Sequence, residues 1–452
     1  MDYRPGEAAA RAMDAADPCR SFRALFCIPP ARAALAGDSG AKLDAGVDAD
    51  GPSVYLTGNS LGCMPRAARA ALEQELSDWE NLGVEAHLHG VHPWLPYHEF
   101  CREAASRVVG AHPREVVIMN SLTVNLHLLM VSFYRPTRER FKIVIEDSAF
   151  PSDSYAAGSQ AAFHARHAGF SASEAIVRLK PRAGEQALRT EDICAAIARE
   201  GRSVALVMLG AVNYLTGQLF DMEAITRAGR EAGAMVGWDL AHAAGNVPLK
   251  LHEIGADFAA WCSYKYLNSG PGGLAGAFVH ERHHGDRALP QFAGWWGNDP
   301  ATRFRMGPEF VPVESADRWQ LSNPPIFSMA PVRVSLEIFD RVGMTALREK
   351  SEALTGYMEW LIDGINARAG AKAGERAPIE IVTPRDPAQR GCALSLVLHR
   401  GPRESFAALK HGGVICDFRE PNVIRAAPVP LYTSFHDVWR FGEVLGGVVG
   451  RT

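Results

Sequence analysis

Residues 234–280 carry an apolar strand, a polar turn and, further on, a lone lysine in a glycine-rich loop: AMVGWDLAHAAGNVPLKLHEIGADFAAWCSYKYLNSGPGGLAGAFVH. The strand ends in Asp239, and His242 follows three residues later. Lys265 stands 26 residues after Asp239 and is the only charged residue in the run AWCSYKYLNSGPGGLAGAFV. Burial among aromatic residues and glycines disfavours the ammonium form of a lysine, which frees its amine as a nucleophile.

An acid at a strand end, followed at this distance by a lysine, suits pyridoxal phosphate. This flat cofactor needs an acid to keep its ring nitrogen protonated and a lysine to form a Schiff base. Taken singly, Asp239 is more often a helix cap, His242 a buried imidazole and Lys265 a surface lysine beside a turn. Together they favour the cofactor site, and the glycines after Lys265 let the backbone approach a flat ligand.

The rest of the chain predicts an α/β protein. Between Val54 and about Met329, the strand-like runs VVIM, FKIVIE, SVALVML and AMVGWD alternate with helical patterns. This alternation predicts βαβ units and a mostly parallel sheet with helices on both faces. Ligands of such sheets bind at the carboxyl ends of the strands.

The C-terminal part has a different organisation. After NPPIFSMAP, a long amphipathic pattern predicts two helices broken near Gly343, and the strand-like segments IEIVTP, ALSLVLHR and GVICDFRE follow. We therefore predict an N-terminal arm at residues 1–52 that belongs to a smaller domain, a large cofactor-binding domain at residues 53–329, and a C-terminal small α+β domain at residues 330–452.

Composition excludes several classes of protein. The 452 residues include 47 Lys+Arg and 51 Asp+Glu, a net charge of −4, which gives no basic surface for nucleic acid or an anionic membrane. The eight cysteines form no CxxC pair, so zinc ribbons and thioredoxin-type motifs have no support, and a reduced, cytoplasmic protein is expected.

The start of the chain lacks the apolar stretch of a signal peptide. The longest uncharged run, Val116–Tyr134, is interrupted by polar residues and predicts a buried strand followed by a buried helix.

Two further segments suit a phosphorylated ligand. VVIMNSLTVNLHLL supplies a strand, a turn and a helix start, where helix N–H groups and the hydroxyls of Ser121 and Thr123 favour an anion. The strand FKIVIE leads to FPSD, in which Phe150 could lie against a cofactor ring and Asp153 could contact its polar edge. In isolation, each segment is more often an ordinary capped turn.

Eight segments together resemble the kynureninase family of fold type I pyridoxal-phosphate enzymes: GNSLG, NSLTVNLHLL, FPSD, DLAHAAGN, CSYKYLNSGPGGLAGAFVH, GWWG, SNPPI and REPNVIRAAPVPLY. The similarity runs in register from about Tyr55 to Phe441. It implies a large domain with a mostly parallel sheet flanked by helices and a smaller α+β domain. It also implies hydrolysis of L-kynurenine to anthranilate and L-alanine, and of 3-hydroxy-L-kynurenine to 3-hydroxyanthranilate and L-alanine. Such reactions serve tryptophan catabolism, NAD biosynthesis or secondary metabolism, and no feature of the sequence distinguishes these pathways.

The resemblance implies a role for each matching residue. Lys265 would bind the cofactor and act as the base, Asp239 would pair with the ring nitrogen, and Tyr264 would reach the phosphate. That Tyr264 also carries a proton is our own hypothesis, based on its position next to the lysine. The residues implied in cofactor binding are Leu122, Thr123, Phe150, Ser152, Asp153, Asp239, His242, Tyr264, Lys265, Trp295 and Asn323. Arg425 of REPNVIR resembles the clamp for the substrate carboxylate. The family is homodimeric, with some of these groups across the interface.

Two positions bear on the substrate, and a third departs from the family pattern. His87 and Asn323 match residues that lie near the aryl ring in animal-type enzymes, so we expect appreciable activity on 3-hydroxykynurenine. Gly210 stands where relatives often carry serine, so one contact with the phosphate or ring is either lost or supplied by the backbone.

Three alternatives stay open at this point. A metalloenzyme is suggested by four histidines within a dozen residues, although their spacing matches no helix-borne HExxH: His87, His89, His92 and His98. The fold could also serve as a catalytically silent binding protein, which an intact Lys265, Asp239, His242 and Arg425 argue against. An aminotransferase or cysteine desulfurase would share Asp239 and Lys265 but is not expected to carry REPNVIR.

Overall fold

A computed structural model of the chain describes residues 3–370 and 376–450. The chain forms two compact units. The smaller comprises Met1–Arg66, Leu215–Gln218 and Val342–Thr452, and the larger comprises Ala67–Tyr214 and Leu219–Arg341.

The strands and helices of the described residues are numbered in chain order. The strands are β1 Phe26–Cys27, β2 Val54–Tyr55, β3 Met64–Pro65, β4 Val116–Ile118, β5 Lys142–Glu146, β6 Ile176–Leu179, β7 Val204–Gly210, β8 Met235–Asp239, β9 Phe258–Trp261, β10 Gly276–Val279, β11 Ile379–Ile381, β12 Leu394–Leu398, β13 Val414–Ile415, β14 Asp417–Arg419 and β15 Val423–Ala426. The helices are α1 Glu7–Ala16, α2 Ala67–Leu82, α3 Ala86–His89, α4 Glu99–Val109, α5 Leu122–Phe133, α6 Pro151–Ala168, α7 Thr190–Glu200, α8 Met222–Glu231, α9 Leu251–Ile254, α10 Pro300–Arg303, α11 Ile326–Val342, α12 Met344–Ala369, α13 Pro402–His411 and α14 Phe435–Val449.

The larger unit is built on a seven-stranded sheet in the order β4-β10-β9-β8-β7-β5-β6. Strands β6, β5, β7, β8 and β9 are parallel, and β10 is antiparallel to both of its neighbours. Strand β4 therefore runs in the same direction as the parallel strands. Strands β4, β7 and β8 are apolar and largely buried along their length, as a sheet covered on both faces requires. The predicted α/β class, the four predicted strands and the strand-then-helix at β4 and α5 are confirmed.

This topology brings the candidate residues to one edge of the sheet. The carboxyl ends of β4, β5, β7, β8 and β9 meet there, because these strands share one direction. Gly210 and Asp239 are the last residues of β7 and β8. The segments that follow β4, β5 and β9 carry Thr123, Asp153 and Lys265. Ligand sites of open α/β sheets form at this edge.

The smaller unit has a four-stranded antiparallel sheet in the order β11-β12-β15-β14. Helices α12 and α14 contribute to its apolar core, which includes Leu354, Met358, Leu396 and Phe441. Helix α1 joins this unit through Asp14, whose carboxylate accepts hydrogen bonds from the N–H groups of Phe435 and His436 at the start of α14. The predicted α+β character of this part is confirmed.

The boundaries between the units differ from the predicted positions at residues 52/53 and 329/330. Strand β2 pairs in parallel with β13, so the segment around Val54 belongs to the smaller unit, which extends to Arg66. Helix α11 continues unbroken past residue 330, and the larger unit ends at Arg341. Gly343 separates α11 from α12, as the sequence predicts, and its φ of 76° lies in the region that favours glycine. None of the helices in the described ranges is both long enough and apolar enough to cross a membrane.

Candidate active site

Lys265 lies in a tight turn directly after β9. Its carbonyl accepts a hydrogen bond from the N–H of Asn268 at 3.0 Å, and the Ser269 N–H donates to the Ser263 carbonyl at 3.1 Å. The buried hydroxyls of Ser263 and Ser269 lie 2.5 Å apart and close the turn from inside. The Lys265 side chain is partly buried, and its Nζ lies 5.8 Å from the centre of the Phe150 ring. The turn therefore fixes the backbone of the lysine while its amine faces an aromatic ring.

Asp239 and Asp153 form a buried pair of carboxyls beside this lysine. Asp239 ends β8 and accepts a hydrogen bond from the Ala241 N–H at 2.6 Å. Asp153 lies in the first turn of α6 and hydrogen-bonds to Asp239. Burial raises the pKa of both groups, but the Ala241 N–H and the Lys265 charge act to lower that of Asp239. Asp239 is therefore the group that stays ionised, and Asp153 holds the shared proton.

A third buried carboxyl, Glu146, is a site residue that the sequence interpretation missed. It ends β5, and both of its carboxyl oxygens face the Gly210 N–H, at 3.3 and 3.4 Å. Gly210 is paired with Asp239 in the sheet register, so Glu146 and Asp239 lie on either side of β7. The signal was present in FKIVIE, which ends in an acid as AMVGWD does.

The structure also gives a physical role to Gly210. A Cβ atom at this position would lie 3.1 Å from Glu146 Oε1, which is closer than most real Cβ contacts. Glycine thus leaves room for the Glu146 carboxyl and offers it a backbone donor. The Gly210 N–H is directed at Glu146, so whether the backbone also replaces the phosphate or ring contact of the family serine stays a prediction.

Glu146 gives the native state a pH dependence that can be measured. Burial, helped by the charge of Asp239, raises the pKa of Glu146 from its ordinary 4.5 to about 7. Between these values the unfolded chain has lost the proton while the native chain still holds it. Stability therefore falls as pH rises from about 4.5 to about 7, by on the order of 3 kcal/mol.

We expect Glu146→Gln, an isostere of the protonated side chain, to abolish that loss. Denaturant unfolding of the cofactor-free protein at about pH 5 and about pH 8 measures it. Between about pH 5 and about pH 8, the free energy of unfolding of the variant should rise relative to that of the wild type. The control is Glu174→Gln, since Glu174 is exposed. The same pH dependence in wild type and Glu146→Gln would contradict the prediction.

The start of α5 offers an anion site at the same edge of the sheet. Leu122 and Thr123 are the first two residues of this helix, and the N-cap Ser121 makes no side-chain capping hydrogen bond. Asn120 takes a left-handed φ of 50° immediately before the N-cap. The first N–H groups of α5 therefore have no side-chain cap. Uncapped N–H groups at the start of a helix suit a phosphate.

These residues fit pyridoxal phosphate. Asp153 Oδ1 is buried and has no hydrogen-bond partner within the protein, as expected for a group that contacts a ligand. Lys265 supplies the amine, Asp239 the ionised acid and α5 the anion site. Ser152 and Asp153 both lie in the first turn of α6, behind Phe150 at its N-cap.

Two further candidates surround the cluster. His242 is buried, and its ring lies 6.2 Å from that of Tyr266 in an edge-on contact. Tyr264 is partly buried next to Lys265, and burial together with Cys262 raises the pKa of its hydroxyl. Tyr264 is therefore protonated at neutral pH, as a proton donor must be.

Three candidates lie on other segments of the larger unit. His87 is in α3, where its Nδ1 lies 3.0 Å from the Val84 carbonyl. Trp295 is 41% exposed, and its indole N–H donates to the Arg303 carbonyl at 3.3 Å. Asn323 is exposed in the loop before α11. Their recorded contacts are with their own segments and do not include Lys265.

Arg425 lies in the smaller unit, on β15. It is 3% exposed, and its Nε donates to Asp417 Oδ2 at 2.6 Å, with Nη2 directed at the same oxygen. Asp417 is the residue opposite Arg425 on β14. This pairing fixes the plane of the guanidinium.

The four histidines of the metalloenzyme alternative have different partners. His89 faces Glu85, His92 faces Glu75, and buried His98 lies between Trp296 and Asp317. His87 packs edge-on against Trp94. Within the described part of the chain, none of the four belongs to a group of three potential metal ligands.

Comparisons with known proteins identify the family and the fold of the chain. The family model "Aminotransferase class-V" matches residues 54–382, and "Kynureninase C-terminal domain" matches residues 347–445. The chain is 55% identical to the kynureninase of Myxococcus xanthus, over 98% of each chain. It is 56% identical to that of Salinispora tropica, over 98% of this chain and 97% of the relative. The solved cysteine desulfurase of Thermococcus onnurineus has a TM-score of 0.68 at 16% identity, covering 88% of this chain and 95% of its own, which shows the fold alone.

Proposed function

The chain belongs to the kynureninase family, and we propose that it cleaves both kynurenine and 3-hydroxykynurenine, with Lys265 as the base. Membership makes it a pyridoxal-phosphate-dependent hydrolase of carbon–carbon bonds. The roles of individual residues, the preference between substrates and the homodimer are parts of the proposal. The observation that carries the residue roles is the cluster of Lys265, Asp239 and Asp153 at the carboxyl edge of the sheet.

The acid cluster is suited to the cofactor ring. Bound pyridoxal phosphate supplies the electron sink that makes the substrate Cα–H acidic. Ionised Asp239 would hold a proton on the ring nitrogen, and protonated Asp153 supports Asp239 by donating to it. Glu146 stays largely neutral at pH values below about 7, so it adds little negative charge behind Asp239. The N-terminus of α5 would hold the phosphate, with Leu122 and Thr123 as its first residues.

Lys265 and Tyr264 are positioned for proton transfer. The Lys265 amine would take the proton from Cα, and water would add to the γ-ketone of the substrate. The Cβ–Cγ bond then breaks, the aryl carboxylic acid leaves, and the remaining three-carbon unit takes up protons to give L-alanine. Tyr264, whose raised pKa keeps its hydroxyl protonated, is our candidate for the proton carrier.

Arg425 is our candidate for the substrate carboxylate. A guanidinium binds a carboxylate best when its plane is fixed, because two parallel hydrogen bonds then form together. Asp417 provides that constraint from the neighbouring strand. Asp417 is in this view a positioning residue for Arg425.

Exposed apolar side chains on the larger unit support a homodimer. Trp79 is 59% exposed, Val84 76%, Leu88 58% and Val91 63%, all within one segment around α2 and α3. A second exposed group, Phe292, Phe304 and Met306, flanks Trp295. Apolar patches of this kind mark protein–protein contacts. They support a dimer in which Trp295 and Asn323 complete the site of the partner subunit. The eight cysteines, none in a disulfide, also suit a cytoplasmic protein.

The substrate proposal predicts a specific change in selectivity. We expect the wild type to hydrolyse 3-hydroxykynurenine with kcat/KM at least comparable to that for kynurenine. His87→Ala or Asn323→Ala should lower the ratio of kcat/KM for 3-hydroxykynurenine to kcat/KM for kynurenine by about tenfold. Each substitution removes one polar contact to the 3-hydroxyl group. Steady-state kinetics with both substrates, on a holoenzyme whose mass is checked by light scattering, measures the ratio.

The matched control is His89→Ala. His89 lies on the same helix as His87 and contacts only Glu85 among its recorded partners. Its substitution should leave the ratio unchanged. A wild-type ratio that strongly favours plain kynurenine would overturn the substrate proposal without affecting the family assignment.

A further inference from the structure

A second cluster of chemically active side chains lies at the opposite edge of the central sheet. Glu115 immediately precedes β4, His280 immediately follows β10, and β4 and β10 are antiparallel neighbours. The register therefore brings Glu115 and His280 together. His252 joins them from α9, the short helix before β9. The proposed chemistry uses the carboxyl edge of the sheet and does not involve these residues.

The backbone holds His252 in the cluster. Its N–H donates to the Gly110 carbonyl at 3.0 Å. Gly110 has a φ of 62°, and a Cβ atom there would lie 2.0 Å from the Leu249 carbonyl oxygen. Only glycine permits this close approach, which keeps α9 against the loop that leads to Glu115.

The distances between the side chains suit a single ion. The ligand atoms of Glu115, His252 and His280 all lie within 4.8 Å of one another. His252 Nδ1 lies 3.0 Å and His280 Nδ1 3.5 Å from Glu115 Oε1. Two ligands of a tetrahedral zinc, each about 2.0–2.1 Å from the ion, are separated by about 3.3–3.4 Å. Small side-chain adjustments would therefore complete the geometry.

The carboxylate of Glu115 is held in a fixed orientation that suits a metal ligand. It is fully buried, and the N–H groups of His112 and Glu281 donate to its two oxygens at 2.9 Å each. Such outer hydrogen bonds orient a carboxylate in metal sites. Two hydrogen-bond donors thus fix the carboxylate before any ion arrives.

The Nδ1 of His280 faces the same point and would exchange one long hydrogen bond for the ion. Its Nδ1 accepts a hydrogen bond from the Arg282 N–H at 3.3 Å, so this nitrogen carries no proton of its own. It nevertheless faces Glu115 Oε1, another acceptor. The Arg282 guanidinium is itself paired with Asp257.

His112 and Glu281 form an exposed entrance. The His112 ring stacks on that of His252 with centres 3.8 Å apart, and its Nδ1 lies 3.4 Å from Glu281 Oε2. The side chain of His112 is 51% exposed and that of Glu281 39%, whereas Glu115 is inaccessible. An ion could pass from these outer groups to the inner three.

We propose that Glu115, His252 and His280 bind one Zn²⁺ ion, with His112 and Glu281 at its entrance. Two imidazoles and a carboxylate suit zinc, whereas calcium and magnesium prefer all-oxygen sites. The ion would fasten three surface segments at the amino edge of the sheet and stabilise the larger unit without taking part in the reaction.

The experiment measures zinc on the intact holoenzyme after removal of metal with a chelator. We expect the wild type to bind one equivalent of zinc by calorimetry and elemental analysis, and to melt at a higher temperature when loaded. His252→Gln and His280→Gln should each weaken binding at least about tenfold, with kcat/KM within about twofold of wild type. The control is His399→Gln, whose histidine pairs with Glu380 alone among its recorded partners and should not affect zinc.

A second measurement does not depend on the variants folding. Zinc-edge X-ray absorption of the loaded wild type should show nitrogen and oxygen ligands at about 2.0–2.1 Å, with imidazole scattering and no sulfur. The proposal is overturned if the wild type binds no zinc, if both glutamine variants bind it as tightly as His399→Gln, or if sulfur ligands appear.

Discussion

Replacement of Lys265 by alanine is expected to lower kcat/KM for kynurenine by at least about 10⁴-fold. The variant loses both the amine that holds the cofactor and the base that takes the Cα proton. Because Lys265 is fixed by backbone hydrogen bonds of its turn, the shorter side chain should leave the fold intact. Circular dichroism and thermal unfolding check the fold, and steady-state kinetics measure the loss.

Two comparisons isolate the role of the lysine. Lys250→Ala is the matched control, since that side chain is 70% exposed and pairs only with Glu253 among its recorded partners. It should retain wild-type kinetics. In the wild type, reduction with borohydride should attach the cofactor to the peptide that contains Lys265, as mass spectrometry would show. Attachment to another lysine, or turnover of Lys265→Ala near the wild-type rate, would contradict the assignment.

The sequence predicted the central sheet and the edge that carries the candidate active site, because both follow from the pattern of apolar runs. Apolar runs such as AMVGWD become buried strands, and parallel strands bring their carboxyl ends together. Asp239 and Lys265 lie next to such runs, so local patterns were enough to place them at the same edge. The break at Gly343 followed from the same local logic.

Residues whose significance depends on packing could not be recognised in this way. Glu146 is separated in sequence from Asp239 by 93 residues, and only the strand order reveals that Gly210 lies between them. The Glu115, His252 and His280 cluster is assembled from segments with no common spacing. The four histidines at His87–His98 are close in sequence, yet the fold gives them separate partners. Sequence proximity suggested a metal site among these four histidines, whereas the proposed zinc site depends on the topology of the sheet.

The position of the first domain boundary shows the same limit. The segment around Val54 has the apolar character of a strand, and alternation with helices assigned it to the large sheet. Its partner is β13, some 360 residues later in the chain, and pairing with that strand places it in the smaller unit. The strand character of this segment follows from its own residues, whereas its partner strand is determined by the fold of the whole chain.

The second large effect is expected at Asp239. Asp239→Asn keeps the shape of the side chain but removes the negative charge that would hold a proton on the cofactor ring. Because Asp153 hydrogen-bonds to Asp239, the amide can still be accommodated, and the fold should survive. We expect kcat/KM to fall by about 10²–10³-fold, in proportion to the lost electrostatic stabilisation.

A purely structural role for Asp239 would predict something else. It would lower the melting temperature and the cofactor content, whereas loss of charge should leave the cofactor bound and alter the pH dependence of its absorbance. Asp147→Asn is the matched control, because Asp147 directly follows Glu146 but its side chain is 42% exposed. If Asp239→Asn binds the cofactor normally and retains wild-type turnover, Asp239 does not control ring protonation. The proton would then have to be held by Asp153 or Glu146, the two other carboxyls buried at this edge.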